Sequence, residues 1–221
     1  IRQLTADGIN VNVTLLFGLP RYHEVAKAYI EGIEERLSAD EPVDRIASVA
    51  SFFLSRINVL VDPMLEEMIE AGGAKGQKAA RIKGEVAIAS AKLAYQLYQQ
   101  IFEDGGFEEA AGQGARVQRL LWASTSTKNP EYSDVKYVEP LIGPKTVNTM
   151  PLRTIEAFRD HGDAAPRLVE GVEEAQEARR IVAELGIDLD EVTQQLEDEG
   201  VEKFVASYEQ LLDALEEKRG A

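Results

Sequence analysis

The sequence predicts an α/β fold of the barrel type, in which parallel strands alternate with helices. Short apolar runs at 9–17, 46–54, 117–123 and 146–150 have the length and composition of buried or half-buried strands. Segments with helical periodicity separate these runs, and such alternation is typical of a parallel sheet covered by helices. Small polar residues follow the runs, at the end of the strands where α/β barrels carry their active sites. We therefore expect a ligand site at the carboxyl end of the sheet.

The chain starts in a predicted helix at 1–7 and continues into the first strand, at 9–17. Polar and apolar residues alternate along this strand, so that Asn12 and Thr14 share one face near its carboxyl end. On a barrel strand this polar face points inward, where an unpaired polar group costs about 1–3 kcal/mol. Inward-facing residues therefore need partners or a ligand. An edge strand with one solvated face is the alternative interpretation.

A helix at 20–37 leads to the second strand, at 46–54. Ser51 and Phe53 lie on one face of this strand, and Arg56 follows just past its end. A guanidinium group at that place matches the oxygens of a phosphate. The alternative is a structural ion pair between Arg56 and a carboxylate such as Asp62, or a contact with a neighbouring helix end.

Helices are then predicted at 63–71 and 77–102, with Gly72, Gly73 and Gly76 between them. The apolar residues of the second helix recur at helical spacing, which indicates a packing surface and not a cofactor site.

The densest set of polar groups follows the third strand. Ser124, Ser126 and Lys128 lie within five residues of its end, and a short helix at 134–142, the fourth strand and a helix at 152–160 come next. Hydroxyl and amide groups suit the hydroxyls of a sugar, and arginine or lysine suits a phosphate. Together the strand ends predict a phosphosugar site.

The last part of the chain is predicted to form two acidic helices, at 168–185 and 189–218. Residues 163–221 hold 17 acidic and 6 basic residues and so carry most of the net charge of −15. We predict two parts: βα units at 1–162 and an acidic helical extension at 163–221 packed on them.

The composition excludes several classes of function. A net charge of −15 argues against nucleic acid or an anionic membrane as a partner. No apolar run approaches the ~18 residues of a membrane span, and a chain without cysteine has neither disulfides nor zinc–thiolate sites. The sequence contains no glycine-rich nucleotide loop and no metal-ligand spacing, so no metal or cofactor is predicted. We expect a cytoplasmic protein.

Three segments resemble one enzyme family. WASTSTKNP at 122–130, GINVNVTLLF at 8–17 and SFFLSRINVLVD at 51–62 are similar to segments of transaldolases of the longer bacterial type, in the same order. The resemblance implies a (β/α)8 TIM barrel, of which this chain would be the C-terminal half: four parallel strands with their helices, plus a C-terminal helical extension. It also implies transfer of a dihydroxyacetone unit from a ketose phosphate to an aldose phosphate through a lysine Schiff base, without a cofactor.

The resemblance assigns roles to the polar residues at the strand ends. It implies catalytic roles for Asn12 and Thr14, with the threonine helping to hold a water molecule. Arg56 would bind the substrate phosphate, and Lys128 lies near the position where other transaldolases have a second arginine. The remaining predicted substrate contacts are Ser51, Phe53, Ser124 and Ser126.

In the family, the Schiff-base lysine lies on the strand before GINVNVTLLF, outside the sequence given, and Lys128 does not take its place. We therefore expect the isolated chain to be inactive. Open strand edges at 9–17 and 146–150 predict pairing with the missing N-terminal half or self-association. Two alternatives remain: a non-catalytic phosphosugar-binding module, and another phosphosugar aldolase or isomerase on the same fold.

Overall fold

The computed structural model describes residues 1–220, which contain a parallel sheet of four strands. The strands are β1 (Val11–Leu16), β2 (Ser48–Phe53), β3 (Arg119–Ala123) and β4 (Thr146–Asn148). Their order in the sheet is their order in the chain, and every neighbouring pair is parallel. This arrangement confirms the predicted α/β class, with each strand somewhat shorter than its apolar run.

Helices connect the first three strands and cover one face of the sheet, as parallel strands require. Within residues 1–220 they are α1 (Arg2–Ala6), α2 (Leu19–Ser38), α3 (Ser55–Ala71), α4 (Gly73–Ile82), α5 (Val86–Phe102), α6 (Glu108–Gly112), α7 (Leu152–His161), α8 (Val172–Glu184) and α9 (Leu189–Gly220).

The two faces of the sheet have different environments. Phe52, Leu120 and Trp122 are almost fully buried in the main hydrophobic core. Asn12 and Thr14 of β1 are exposed on the opposite face. The alternation along β1 therefore separates a helix-covered face from a polar face, as the strand pattern predicts.

Two of the predicted helices differ from the observed ones. Helix α3 begins at Ser55 and contains Pro63 in its interior, so Arg56 lies in its first turn and not in a loop. The predicted helix at 77–102 is divided at Gly84 into α4 and α5. Gly84 has φ +81°, and a Cβ atom there would lie 2.8 Å from the hydroxyl oxygen of Tyr132. Tertiary packing thus overrides a continuous helical pattern.

Two further differences concern short elements. The predicted helix at 134–142 is reduced to a 3₁₀ turn at Glu139–Leu141, because Pro140 and Gly143 limit its length. Helix α6 was not predicted, since its five residues are too few to show a helical period.

The acidic C-terminal part shares the main core. Ala175, Ile181 and Val182 of α8 are buried in the same cluster as the residues of α5. Leu196 of α9 is also buried, and a Cβ atom on Gly200 would lie 3.0 Å from the side chain of Leu15, at the end of β1. The division of the chain at residue 162 therefore stays a prediction. In its later turns α9 exposes an apolar stripe: Val201, Phe204, Val205, Tyr208, Leu211, Leu212 and Leu215.

No helix in the described part of the chain is both long and apolar enough to traverse a lipid bilayer.

Aromatic side chains of α5 pack in the main core, where Phe102 contacts Tyr29 of α2. Tyr95 and Tyr98 stack with ring centroids 5.5 Å apart, and Tyr98 contacts Phe102 at 5.4 Å. The hydroxyl of Tyr98 is buried and has no hydrogen-bond partner among residues 1–220, whereas the hydroxyl of Tyr29 donates to the carbonyl of Arg116 at 2.6 Å. The two tyrosines lie in one core, but only the hydroxyl of Tyr29 has a hydrogen-bond partner.

Tyr98→Phe is expected to raise the free energy of unfolding by about 1 kcal/mol, because it removes a buried hydroxyl without a partner. Tyr29→Phe is the matched control, and it should lower the same quantity by about 1 kcal/mol because it removes a hydrogen bond. Urea denaturation followed by circular dichroism measures both. A Tyr98→Phe variant less stable than Tyr29→Phe would contradict this account of the core.

Candidate functional site

The polar face shared by β1 and β2 brings two predicted site residues into contact, although Asn12 lies near the start of β1 and not at its carboxyl end. The hydroxyl of Ser51 donates to Oδ1 of Asn12 at 2.7 Å. Ser51 is buried, and Asn12 is exposed on the polar face. The hydrogen bond orients the Asn12 amide so that its Nδ2 donors remain for a ligand on that face. Thr14 lies two residues further along β1, on the same face.

The ends of β2 and β3 are joined by a second set of hydrogen bonds beyond the last ladder pair. The hydroxyls of Ser55 and Ser124 share a hydrogen bond of 2.8 Å. The backbone N–H of Ser55 donates to the carbonyl of Ser124 at 3.0 Å, and that of Leu54 donates to Ala123 at 3.0 Å. These contacts fix Ser124 against the start of α3, next to Arg56.

Arg56 lies over an aromatic side chain and not in an ion pair. Its guanidinium carbon is 5.5 Å from the ring centroid of Phe53, and the Phe53 ring is 5.4 Å from that of Phe17. No carboxylate among residues 1–220 lies within 4 Å of Arg56, so the alternative pairing with Asp62 is wrong. The pKa of Glu199 is lowered mainly by a hydrogen bond from Gln195, with a smaller contribution from the charge of Arg56. The guanidinium donors of Arg56 therefore remain for a ligand.

Two of the four non-glycine residues with positive φ among residues 1–220 lie at the carboxyl ends of strands. Leu15 has φ +61° and Ser124 has φ +55°, a region that side chains other than glycine rarely adopt. Leu15 coincides with an irregularity in the pairing of β1 with β2, between Val13 and Leu16. Strained residues of this kind cluster at ligand sites, where the surrounding structure holds them.

The segment after β3 forms an ordered loop. The hydroxyl of Thr125 donates to the carbonyl of Thr149 at 2.8 Å, which links the ends of β3 and β4. The hydroxyl of Thr127 donates to the carbonyl of Ser133 at 2.7 Å and closes the loop on itself. Nζ of Lys128 donates to Ser126 at 3.1 Å. Ser126 and Lys128 therefore lie together at the end of β3.

A buried polar network anchors this loop to α3, and it was missed from the sequence. Asp62 accepts a hydrogen bond from the hydroxyl of Tyr132 at 2.9 Å and another from the N–H of Gly84 at 3.0 Å. Asn58, one turn earlier, donates to the carbonyl of Gly84 at 2.7 Å and to the hydroxyl of Tyr137 at 2.9 Å. The available signal was the spacing of Asn58 and Asp62, which places two polar residues on one helix face among apolar neighbours.

Burial determines the ionisation of this network. Desolvation raises the pKa of Asp62, and its hydrogen bonds from Gly84 and Tyr132 oppose that change. Desolvation also raises the pKa of Tyr137 to about 12 and raises that of Tyr132. Both phenols therefore stay protonated near neutral pH and act as hydrogen-bonding groups that hold the loop.

One lysine is buried, but it lies away from the strand ends. Lys92 of α5 donates to the carbonyl of Glu170 at 2.5 Å and to that of Arg167 at 3.4 Å. Desolvation lowers its pKa. Since its ammonium group binds the carbonyls that precede α8, Lys92 joins α5 to the C-terminal part of the chain. Among residues 1–220, no group of three or more His, Cys, Asp or Glu side chains is arranged to hold a metal ion.

Comparison with known proteins identifies the family of the chain. The family model described as transaldolase/fructose-6-phosphate aldolase matches residues 1–215. The transaldolase of Trichodesmium erythraeum is 46% identical over 222 residues, which cover 99% of this chain and 58% of that protein. Transaldolase 2 of a Nostoc species is 47% identical, with coverage of 99% and 58%. The transaldolase of Mycolicibacterium smegmatis is 45% identical, with coverage of 97% and 56%.

The chain spans somewhat under 60% of the length of these relatives. The match nevertheless includes the three segments that carry the resemblance and all four strands of the sheet. The chain belongs to the transaldolase/fructose-6-phosphate aldolase family.

Proposed function

We propose that this chain supplies the substrate-binding part of a transaldolase active site. The reaction is the transfer of a dihydroxyacetone unit from a ketose phosphate to an aldose phosphate. The observation that carries the proposal is the contact of Asn12 with Ser51 on the polar face of β1 and β2, with Arg56 and Ser124 together just past the carboxyl ends of β2 and β3. Barrel enzymes carry their active sites at this end of the sheet.

The chemistry of these groups suits a sugar phosphate. The amide of Asn12 and the hydroxyl of Thr14 face the open side of β1, where they can bind the hydroxyl groups of a sugar or a catalytic water. Arg56 is held against Phe53, so its fork of donors is oriented for a phosphate with little loss of side-chain freedom. Lys128 and Ser126 add a second set of donors at the end of β3.

The nucleophile is proposed to come from outside residues 1–221. None of the strands β1 to β4 carries a lysine, and a Schiff base requires a lysine amine directed at the substrate carbonyl. Lys128 is exposed and bonded to Ser126, and Lys92 holds two carbonyls on the far side of α5. The resemblance places the required lysine on the strand that precedes β1.

The edges of β1 and β4 support a proposal about partners. Each of these strands pairs with one neighbour within residues 1–220, and an unpaired strand edge promotes association. We propose that the strands that complete the barrel pair with these edges. The enzyme is also proposed to act in the cytoplasm.

Borohydride trapping with fructose 6-phosphate tests the origin of the nucleophile. Residues 1–221 alone should give no covalent adduct. In a chimera, the N-terminal remainder of the Trichodesmium relative precedes residues 1–221. It should gain the mass of one reduced dihydroxyacetone unit, because cleavage releases glyceraldehyde 3-phosphate and borohydride reduces the imine that remains on the lysine. Peptide mapping should place the adduct in the added segment.

Lys128→Gln in the chimera is the matched control, and it should keep the adduct. An adduct on Lys128 or Lys92, or one formed by residues 1–221 alone, would overturn this assignment. Binding of fructose 6-phosphate with no adduct in either form would support the non-catalytic phosphosugar-binding module.

A further inference from the structure

We propose that the apolar stripe of α9, between Val201 and Leu215, is the docking surface for the part of the barrel that precedes residue 1 in the relatives. The chain spans 58% of the Trichodesmium transaldolase, and the resemblance places the remaining strands ahead of β1. The inference rests on the proposed function for the identity of this occupant. It adds a contact that is separate from the pairing of strands at the edges of the sheet.

The second half of α9 has no partner in the described part of the chain. Every residue from 201 to 219 is exposed, whereas Leu196 and Gly200 earlier in the same helix are buried. The stability of a helix in a protein comes mostly from the packing of its apolar face. This face includes Phe204 and Tyr208, which are 60% and 61% exposed. A contiguous apolar surface of this kind marks an interaction site.

The stripe points away from the face that α9 buries on this chain. The buried face contains Leu196 and Gly200. At 3.6 residues per turn, the stripe that contains Tyr208 and Leu215 is centred about 100° further around the helix axis. The stripe therefore does not continue the packing of α9 on the core of residues 1–220. It requires a second body.

The place where α9 leaves the core indicates what that body is. A Cβ atom on Gly200 would lie 3.0 Å from the side chain of Leu15, at the end of β1. One turn earlier, Glu197 accepts a hydrogen bond from Arg21 of α2 at 3.0 Å. The last buried residue of α9 among residues 1–219 therefore lies at an edge strand of the sheet. The strands that complete the barrel are proposed to pair with this same edge.

Other exposed apolar side chains lie next to the two edge strands in the sequence. Leu4 of α1 and Ile9 come just before β1, and Leu152 and Ile155 lie in α7, which follows β4. Together with the stripe of α9, they make up most of the exposed large apolar side chains in the part of the chain that the structure describes. One body that adjoins both edge strands would cover all of them, and the rest of a barrel is such a body.

The width of the stripe favours a globular partner over a second copy of α9. A two-stranded coiled coil has a narrow apolar seam flanked by charged residues, and it usually extends over three or more heptads. Val205 and Leu212 widen the stripe of α9 on one side, and the small residues Ser207 and Ala214 flank it on the other. It ends at Leu215, after about two heptads. A stripe of this width is typical of a helix packed on a globular core.

Hydrogen–deuterium exchange of the amides at 201–219, followed by mass spectrometry, tests the docking. In residues 1–221 alone these amides should exchange rapidly, because a helix without buried contacts opens readily. In the chimera with the N-terminal remainder of the Trichodesmium relative, the same amides should exchange roughly tenfold more slowly or better, because the docked stripe must first detach.

Leu211→Glu in the chimera should restore rapid exchange at 201–219, because a carboxylate in the stripe is costly to bury. Gln210→Glu is the matched control. It introduces the same side chain at the neighbouring exposed position, on the opposite side of the helix, and should leave exchange slow. Glutamate is a good helix former, so both variants keep α9 helical. Amides of α5, which lies in the main core, report whether each form is folded.

Three results would exclude the docking surface. The first is rapid exchange at 201–219 in a chimera whose α5 amides are protected. The second is equal exchange in Leu211→Glu and Gln210→Glu. The third is protection of 201–219 in residues 1–221 alone that increases with protein concentration, together with a dimer in light scattering. A second copy of the chain would then cover the stripe.

The borohydride adduct separates this inference from the proposed function. A chimera that forms the adduct while 201–219 exchange rapidly would retain the proposed function and exclude the docking surface. Protection of 201–219 in a chimera that forms no adduct would support the docking surface and count against the proposed function.

Discussion

Asn58→Leu is expected to lower the free energy of unfolding by about 3–5 kcal/mol, the largest effect of any single change considered. Asn58 is 2% exposed. Its amide donates to the carbonyl of Gly84 and to the hydroxyl of Tyr137, and its Oδ1 accepts from the N–H of Ala87 at 2.9 Å. Leucine fills a similar volume but leaves these groups buried without partners, and each unpaired group costs about 1–3 kcal/mol.

Two variants define the controls for this experiment. Tyr137→Phe removes one hydroxyl from the network and should cost about 1 kcal/mol. Asn10→Ala removes an exposed asparagine that accepts from the N–H of Ala47 at 2.8 Å, and it should cost no more than about 1 kcal/mol. Guanidinium denaturation measures all three. If Asn58→Leu were no more destabilising than Asn10→Ala, the network would not determine the break between α4 and α5.

The same network shows why the sequence predicted the strands better than the helices. Each strand is defined by a local run of apolar residues, and such a run is visible in one segment alone. The break at Gly84 depends on Asn58, Asp62 and Tyr132, which are far from it in the sequence. Helical periodicity continues across residues 83–85, so a local pattern predicts one helix. Only tertiary contacts divide it.

The candidate site was also predicted from local sequence patterns, whereas the roles of its residues were not. Its predicted residues lie on the polar face of the strands or just past their ends, and the parallel topology aligns neighbouring strands, as seen in the contact of Asn12 with Ser51. The resemblance to transaldolases supplied the roles of these residues, since polar strand ends occur on many barrels.

Arg56→Gln is expected to weaken the binding of fructose 6-phosphate about 100-fold and to leave the binding of fructose unchanged. The factor corresponds to about 2.7 kcal/mol, within the range for hydrogen bonds to a charged group. Glutamine keeps a polar side chain of similar length but removes the charge and the bidentate fork that a phosphate binds. Because Arg56 already lies over Phe53, binding requires little further ordering of its side chain. Calorimetric titration of the chimera with both sugars measures the two affinities.

Arg45→Gln is the matched control, because Arg45 and Arg56 lie at opposite ends of β2. Arg45 precedes the strand and Arg56 follows it, and neither forms an ion pair within residues 1–220. A general loss of positive charge would weaken the binding of fructose 6-phosphate equally in both variants, and this effect would disappear at high salt. A phosphate site at the carboxyl end of the strand requires a loss in Arg56→Gln alone. Equal losses would therefore remove Arg56 from the site, even if the chimera remained able to form the Schiff base.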